Sequence, residues 1–391
     1  MTHNKPQSLR RAGATALTVA LLAGAAPEAA ARPDRPALQQ AVQAFVDIGF
    51  AGMQVRVRDQ RGEWTGSAGV RELGGTAKPP TDGRFRIGSN TKTFVATMVL
   101  QLVAEGRIGL DSPAADHLPR FALDRRITVR MLLAHTSGIF NHTGEVDPDG
   151  TVVPGLPSTG QDWVDNRFRT YQPDELVRFA LAKPARFAPG TGWSYSNTAY
   201  ALAALLIEQV TGRSFAEELQ RRILRPLRLD STVAPGAGPG IPGPHAHGYY
   251  HYQHAGQAHT VDVTRQNPSL LFASGDLIST TRDLHTFFAA LQSGKLLPAP
   301  LLAEMRRTSP DSNGFGLGLR VQELGPDCGG MLFFHNGSTV GYGALLYSTP
   351  DGSRTLTASI TGGDAEVDVV TAFPKALDRL VKAVFCGGQA G

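Results

Sequence analysis

The stretch FRIGSNTKTFVATMVLQLVAEG, residues 85–106, decides how the rest of the sequence is interpreted. Its second half is almost wholly apolar and covers most faces of a helix until Gly106, so this helix must be buried in a protein core. Ser89 falls in the first turn of that helix, where a short extended segment meets it. The stretch therefore predicts a buried helix that carries a serine at its N-terminus and Lys92 three residues later.

A serine and a lysine three residues apart lie on the same face of a helix. The helix N-terminus supplies backbone N–H groups and positive potential, which suit a developing oxyanion. Burial of Lys92 would lower its pKa and make a neutral amine available to take the proton of Ser89. Alone, however, the pattern S-x-x-K is better explained as a helix cap beside a surface lysine. The pair becomes a candidate nucleophile and base only in combination with other residues.

A second candidate element, Tyr195-Ser196-Asn197, stands just before another strongly apolar helix, residues 200–210. Nearby cations would favour the phenolate of Tyr195, which could then carry a proton to a leaving amine. The side-chain amide of Asn197 can contact both the lysine and a substrate carbonyl. Taken alone, this triplet is better explained as a core tyrosine followed by a capping asparagine.

The third element, His335-Asn336-Gly337-Ser338, ends an apolar strand. An edge strand can pair with a peptide-like substrate through its backbone. Gly337 would allow close approach, and the N–H of Ser338 could complete an oxyanion hole with the N–H of Ser89. The alternative is a strand-to-turn junction with an incidental histidine. The order S-x-x-K, Y-x-N, H-x-G, each at the end of an apolar element, makes the three motifs a strong signal together.

This ordered set resembles the class C β-lactamase superfamily, and within it the secreted, soluble serine D-alanyl-D-alanine carboxypeptidase/transpeptidase type. The resemblance covers nearly the whole mature chain and also includes residues 84–89, 135–138, 189–191 and 316–320. It implies a β-lactamase/transpeptidase-like α+β fold, in which helices flank an antiparallel sheet and an all-helical domain is inserted. It also implies that a peptidoglycan stem peptide or a β-lactam acylates Ser89 without a cofactor, and that Arg320 and Asn336 face the terminal carboxylate.

The sequence departs from that pattern at two positions. Asn336 stands where the carboxypeptidases carry threonine and the lactamases carry Lys-Thr-Gly, and Leu270 stands where an active-site tryptophan aligns. A D-alanyl-D-alanine carboxypeptidase is the leading hypothesis, and a β-lactamase, an esterase or a D-amino-acid amidase is the second. A third hypothesis is a non-catalytic penicillin-binding or peptidoglycan-sensing module, against which the presence of Ser89, Lys92 and Tyr195 argues.

The composition is that of a soluble globular protein, with 391 residues of which 41% are hydrophobic and 18% charged. That length can hold two packed sub-domains. Predicted strands at both ends of the chain and helices between them fit an α/β domain, residues 32–88 and 262–391, interrupted by a helical domain, residues 89–261. A cleft between the two parts is the expected functional site.

Residues 1–31 have the features of a secretory signal peptide, with a basic start, an apolar run at 12–26 and small residues before an expected cleavage near Ala31. The apolar run is shorter than the roughly 20 residues that a membrane anchor needs. Arg10 and Arg11 leave twin-arginine export open. Cleavage would lower the net charge from +4 to +2, and no basic run interleaved with aromatics follows, so nucleic-acid binding has little support. We expect a secreted monomer without a stable membrane anchor.

Both cysteines, Cys328 and Cys386, lie in the exported part of the chain, where an oxidising compartment favours a disulfide over two buried free thiols. The pair also looks like a bridge found in the carboxypeptidase type. Five histidines crowd residues 245–259, but their spacing matches no common zinc signature. His135 is expected to be a packed, hydrogen-bonded histidine, since Lys92 fills the role of base. We therefore predict one disulfide and no metal.

Overall fold

The computed structural model describes Met1 and residues 35–147, 150–325, 328 and 330–386. The contacts divide the chain into Met1–Arg32 and one compact unit, Pro33–Gly391, whose fold follows. Apart from Met1, the predicted signal peptide lies outside the described residues. Within the described part, no helix combines the length and the apolar character that crossing a bilayer requires.

The central element is a six-stranded antiparallel sheet in the order β2-β1-β12-β11-β10-β9. Its strands are β1 Gly52–Asp59, β2 Gly62–Gly69, β9 Arg320–Glu323, β10 Met331–Thr339, β11 Tyr342–Ser348 and β12 Thr355–Thr361. Three two-stranded pairs accompany it: β3 Phe85–Arg86 with β8 Ile278–Ser279, β4 Glu145–Val146 with β5 Val152–Val153, and β6 Tyr249–His254 with β7 Gln257–Asp262. The first and last parts of the chain thus build one sheet.

Helices pack around this sheet, and most of them lie between β2 and β9 along the chain. They are α1 Pro36–Asp47, α2 Thr91–Ala104, α3 Val129–Leu133, α4 Gly160–Asn166, α5 Pro173–Leu181, α6 Asn197–Thr211, α7 Phe215–Leu219, α8 Arg225–Leu227, α9 Thr281–Gln292, α10 Ala299–Arg306 and α11 Ala372–Phe385. Buried residues of α1 and α11 share one apolar cluster with β1 and β12, while α2, α6 and α9 belong to another. This mixed architecture confirms the predicted α+β fold.

Helix α2 is buried because its sequence offers no polar face. Nearly every residue from Thr91 to Leu102 is inaccessible to solvent, and the rings of Phe94 on α2 and Phe287 on α9 stack with their centroids 3.6 Å apart. Helix α6 is equally apolar; the Ser196 hydroxyl caps its first turn and Gly212, with φ of +70°, ends it. Two buried helices thus run from the site into the core.

The sequence does not predict the hairpin β6–β7, because it places residues 89–261 in a mainly helical domain. Its strands pair from Tyr249 opposite Asp262 to His254 opposite Gln257. The turn residues Ala255 and Gly256 both have positive φ, as a two-residue hairpin loop requires. The tyrosines favour a strand, but Ala-Gly is a weaker turn signal than Asn-Gly, so the sequence alone does not reveal this hairpin.

The predicted disulfide is confirmed, since Cys328 and Cys386 are bonded to each other. Cys328 follows β9, and Cys386 caps the C-terminus of α11. The bond therefore ties the last helix to the sheet edge at β9.

Candidate active site

Ser89 and Lys92 lie where a short 3₁₀ turn, Gly88–Asn90, leads into α2. The turn requires Gly88, because its φ is +51° and a Cβ there would lie 2.5 Å from the backbone N of Ser338. Lys92 is completely buried, and its Nζ lies 3.2 Å from the Oγ of Ser89. The local fold thus holds a half-buried hydroxyl against a fully buried amine.

Lys92 has three hydrogen-bond partners, and a neutral amine can satisfy all of them. Its Nζ donates to the Oδ1 of Asn197 at 2.7 Å and to the backbone carbonyl of Ser274 at 2.6 Å. A neutral amine has two N–H groups and one lone pair, so with both N–H groups donated the lone pair is left for the Ser89 hydroxyl. Burial lowers the pKa of Lys92 well below its usual value, while Asp276 partly opposes this. Lys92 can therefore accept a proton from Ser89.

Tyr195, just before α6, lies beside both Lys92 and Ser89. Its ring centroid lies 4.7 Å from the Nζ of Lys92, and its hydroxyl is close enough to the Ser89 side chain for the two to interact. Burial raises the pKa of Tyr195 above its usual value, and the interaction with Ser89 only partly offsets this. The expectation that nearby cations favour its phenolate is therefore wrong: with a neutral Lys92 beside it, Tyr195 is a neutral proton donor.

Asn197 is held in place by residues that lie outside the three motifs. Its Nδ2 donates to Thr143 Oγ1 and its backbone N–H donates to Asn141 Oδ1, both at 3.0 Å. These bonds turn the side-chain oxygen of Asn197 toward Lys92. No sequence signal marks Asn141 or Thr143, which lie more than 50 positions before Asn197.

Strand β10 presents a free backbone edge to Ser89. Strand β9 pairs only with Met331–Phe334 of β10, which leaves residues 335–339 without a β9 partner on that side. A Cβ at Gly337 would lie 1.9 Å from the carbonyl oxygen of Ile87 and 2.9 Å from the backbone N of Ser89. Only glycine allows this approach. The backbone of residues 337–338 thus lies directly against Ser89, as an oxyanion hole built from the N–H groups of Ser89 and Ser338 would require.

His335 and His135 are buried, neutral supports for this arrangement. Burial, with a contribution from Lys92, lowers the pKa of His335 to about 3, and its Nδ1 donates to the Asn336 carbonyl at 2.8 Å. His135 accepts the N–H of Ser196 at 3.1 Å, and its ring centroid lies 4.3 Å from that of Tyr195. Both histidines pack against the site and are uncharged near neutral pH, so neither is an imidazolium that could act as a general acid.

Arg320 and Asn336 line a cavity of about 740 Å³ that also contains Ser89 and Tyr195. The Arg320 guanidinium lies over the rings of Phe315 and Phe334 and donates to the Asn313 carbonyl at 2.9 Å. The Nδ2 of Asn336 donates to the Tyr347 hydroxyl at 2.8 Å. Its Oδ1 is buried and has no hydrogen-bond partner among the described residues.

Another cavity, of about 440 Å³, shares Ser338 and Thr339 with the first as lining residues. It is lined by Asn197 and by Leu270, the residue at the aligned tryptophan position. Leu270 is buried and its carbonyl accepts a hydrogen bond from the His142 ring at 2.8 Å. Over the described residues, no cluster of three or more histidine, cysteine or acidic side chains could hold a metal ion.

The fold and the comparisons define a serine hydrolase. The family model described as Beta-lactamase matches residues 38–380 of the chain. The protein belongs to this family, within the superfamily of penicillin-binding serine hydrolases.

The individual proteins that are similar to this chain are named for several different activities. The chain is similar to the structure of a D-stereospecific amidohydrolase from Streptomyces sp., with 39% identity and a TM-score of 0.78, covering 91% of this chain and 100% of that one. A D-amino acid amidase from Ochrobactrum anthropi SV3 has 25% identity and a TM-score of 0.73, over 89% and 97% of the two chains.

Matches to the curated relatives are shorter. The putative penicillin-binding protein PbpX of Bacillus subtilis (strain 168) is 27% identical over 70% of this chain and 63% of its own length. Esterase EstB of Burkholderia gladioli is 35% identical over 38% of each chain. The chain therefore matches less than two thirds of the length of these relatives.

Proposed function

We propose that this protein hydrolyses amide bonds on the carbonyl side of D-amino-acid residues through an acyl-enzyme on Ser89. The observation that carries the proposal is the position of a buried Lys92 and a neutral Tyr195 beside the Ser89 hydroxyl. Similarity to a D-stereospecific amidohydrolase over that protein's whole length supports the choice of a D-configured substrate.

The proton transfers follow from the opposite pKa shifts of the two groups. Lys92 takes the Ser89 proton as the Ser89 oxygen attacks the carbonyl carbon. When the tetrahedral intermediate collapses, the C–N bond breaks and Tyr195 protonates the leaving amine, and the Lys92 ammonium then returns a proton toward Tyr195. Water then attacks the carbonyl carbon of the acyl-enzyme with the corresponding proton transfers, and the acid product leaves Ser89. The lowered pKa of Lys92 makes a neutral amine available as a base, and the raised pKa of Tyr195 keeps its hydroxyl protonated, so that it carries the proton that the leaving amine needs.

The two cavities suggest how the substrate is oriented. The leaving amine must lie within reach of both Ser89 and the Tyr195 hydroxyl. Both residues line the 740 Å³ cavity, whereas a neighbouring cavity of about 940 Å³ contains Tyr195 without Ser89 and the 440 Å³ cavity contains neither. We therefore assign the leaving group to the 740 Å³ cavity and the acyl portion to the 440 Å³ cavity, beside Asn197 and Leu270. The free edge of β10 lines both of these cavities and can pair with the substrate backbone.

Asn336 favours an uncharged leaving group. A carboxylate needs hydrogen-bond donors, but the donor end of Asn336 is bonded to Tyr347 and its acceptor end is left unpaired in the cavity wall. An unpaired acceptor repels a carboxylate and suits an N–H of the substrate. This supports amides and peptides without a free carboxylate next to the scissile bond.

The D-alanyl-D-alanine carboxypeptidase predicted from the sequence is the second candidate, and Arg320 favours it. Its guanidinium lines the leaving-group cavity, where it can attract the terminal carboxylate of a D-alanine leaving group. In this candidate Arg320 would have to compensate for the missing hydroxyl at position 336. The two candidates share every step of the chemistry and differ only in the leaving group.

A substrate panel separates these candidates. The mature protein and Ser89→Ala are incubated with D- and L-phenylalaninamide, a diacetyl-lysyl-D-alanyl-D-alanine peptide, nitrocefin and p-nitrophenyl butyrate. The proposal predicts ammonia release from the D-amide in preference to the L-amide, and none with Ser89→Ala. Preferential release of D-alanine would support the carboxypeptidase, and turnover of nitrocefin or ester alone would support a β-lactamase or an esterase.

Intact mass after addition of benzylpenicillin tests the nucleophile independently. We expect an adduct of one penicilloyl group that is absent in Ser89→Ala. A stable adduct without turnover of any substrate in the panel would support the non-catalytic penicillin-binding module and contradict the proposal.

We also propose that the protein is exported after cleavage near Ala31. The basic, apolar and small-residue regions of residues 1–31 support this. Expression of the full chain in a secreting bacterial host should give a protein in the culture medium that begins at Arg32; uncleaved protein that stays in the cells would contradict export.

A further inference from the structure

Asp276 is a buried acid in the loop that packs against Lys92, and the proposed mechanism assigns it no role. Its side chain is only 4% exposed. The residues on either side of it contact the catalytic turn: the Ser274 carbonyl accepts from Lys92 Nζ at 2.6 Å, and the Leu277 N–H donates to Thr91 Oγ1 at 3.3 Å. The backbone of residues 274–277 therefore lies directly behind Lys92, with Asp276 in its middle.

The loop around Asp276 is shaped to hold its carboxylate in place. The backbone N–H groups of Ala273 and of Asp276 itself favour the ionised form of this carboxylate. Ala273 has φ of +53°, a conformation that side-chain-bearing residues rarely adopt. The Oδ1 of Asp276 has no hydrogen-bond partner among the described residues. A strained loop thus fixes a carboxylate with spare acceptor capacity inside the core.

Asp276 is the acid whose charge acts on Lys92. The other titratable groups facing Lys92 are all uncharged near neutral pH, because burial lowers the pKa of each histidine and raises the pKa of each tyrosine: they are His135, His142, His335, Tyr195 and Tyr200. Among the described residues that surround Lys92, Asp276 is therefore the one whose negative charge can compensate a Lys92 ammonium. Without that charge, a buried ammonium is strongly unfavourable.

We infer that Asp276 is the counter-ion of the Lys92 ammonium that forms when Ser89 transfers its proton to Lys92. Asp276 takes no part in bond making or breaking; it is a positioning residue that acts through Lys92. The inference rests on the proposed roles of Ser89 and Lys92. It explains why a fully buried amine can serve as a base, since the charged product of the proton transfer is stabilised by a carboxylate already in place.

The pH dependence of acylation should reflect this pair. Burial raises the pKa of Asp276 to about 7, and it is ionised above that pH. A protonated Asp276 cannot compensate the ammonium, so acylation should slow as the pH falls through this range. Replacing Asp276 by asparagine removes the charge that raises the pKa of Lys92, and the acid limb should then move to lower pH while the plateau rate falls.

Asp276→Asn and a matched control, Asp283→Asn, test the inference. Asp283 is also a buried carboxylate, 6% exposed, but it accepts from the Ser231 N–H at 3.0 Å and from the Thr232 hydroxyl at 2.8 Å, away from Lys92. The rate of penicilloyl adduct formation is measured by intact mass between pH 5 and 10, together with thermal unfolding. For Asp276→Asn we expect a plateau rate of about one tenth of the wild-type rate or below, and an acid limb about one pH unit lower. For Asp283→Asn the midpoint of the acid limb should stay at the wild-type pH.

Three outcomes overturn the inference. The first is a wild-type profile in Asp276→Asn. The second is a loss of rate with an unmoved acid limb, and the third is the same change in Asp283→Asn; both of these indicate a structural role. If Asp276→Asn fails to fold, Asp276→Ala is measured in the same way. Persistent adduct formation by Ser89→Ala would instead refute the proposed nucleophile, so the two failures are distinguishable.

Discussion

Asn197→Asp is the substitution that tests the role of Lys92 as the base most directly. It exchanges an amide oxygen for a carboxylate oxygen of nearly the same shape, 2.7 Å from the Lys92 Nζ. Thr143, which now accepts from the Asn197 amide at 3.0 Å, can instead donate its hydroxyl proton to the new carboxylate. The geometry is preserved, and the main change is a negative charge beside the amine.

The size of the effect follows from that distance. Two unit charges 2.7 Å apart attract each other by about 6 kcal/mol at an effective dielectric constant of about 20, which corresponds to about four pKa units. The cost of burying the new carboxylate opposes this, and measured effects of a single adjacent opposite charge are about 1–3 units. We therefore expect the pKa of Lys92 to rise by about 1–3 units.

The assay is the pH profile of kcat/KM for the best amide substrate. Lys92 acts as a base only when neutral, so its raised pKa should move the acid limb upward by about 1–3 pH units. At a pH on that limb, activity should fall about 10- to 1,000-fold, and it should recover on the alkaline plateau. Thr143→Val is the control, because it disturbs the position of Asn197 without adding a charge. An equal loss for Asn197→Asp at every pH would refute the assignment of Lys92 as the titrating base.

Three further substitutions test other parts of the site and fold. Tyr195→Phe removes the proposed proton donor and should lower kcat about 100- to 10,000-fold without moving the acid limb. If steady-state kinetics show only a small decrease in kcat, Tyr195 is not the group that protonates the leaving amine. Replacing Cys328 and Cys386 by serine should lower the free energy of unfolding by about 4 kcal/mol, since their bond spans a sequence separation of 58; urea denaturation measures this, and an altered acylation rate would contradict a purely stabilising bond. Asn336→Thr puts a hydroxyl donor in place of an unpaired acceptor, and competition between substrates should show a shift of about tenfold or more toward D-alanyl-D-alanine peptides; no shift would mean that residue 336 does not contact the leaving group.

Elements with one uniform pattern can be predicted from the sequence. Helices α2 and α6 are apolar on all faces, and the alternation in β1 and β2 marks a hairpin, so the motifs at the ends of these elements can be placed from the residue pattern alone. The order of the three motifs then predicts that Ser89, Lys92 and Tyr195 meet. The pairing of the two cysteines follows from the compartment and from the resemblance.

Contacts between distant segments could not be predicted in the same way. The Ser274 carbonyl that fixes Lys92 lies 182 positions further along the chain, and a backbone carbonyl has no sequence signature. Asp276 looks like an ordinary loop aspartate until the fold buries it. The predicted direction of the Tyr195 pKa shift is wrong for a related reason: burial of the tyrosine raises its pKa, and burial is a property of the folded environment.

The arrangement separates the chemistry of the site from the selection of its leaving group. Burial shifts the pKa values of both Lys92 and Tyr195, and Asp276 acts on that of Lys92, whereas Arg320 and Asn336 lie on strands of the sheet. A substitution on these strands can therefore change which leaving group is accepted without disturbing the proton transfers. Relatives with the same fold that are named as amidases, an esterase and penicillin-binding proteins are consistent with such a division. The residue at position 336, rather than the Ser-Lys-Tyr set, is then where the difference between an amidase and a carboxypeptidase should be sought.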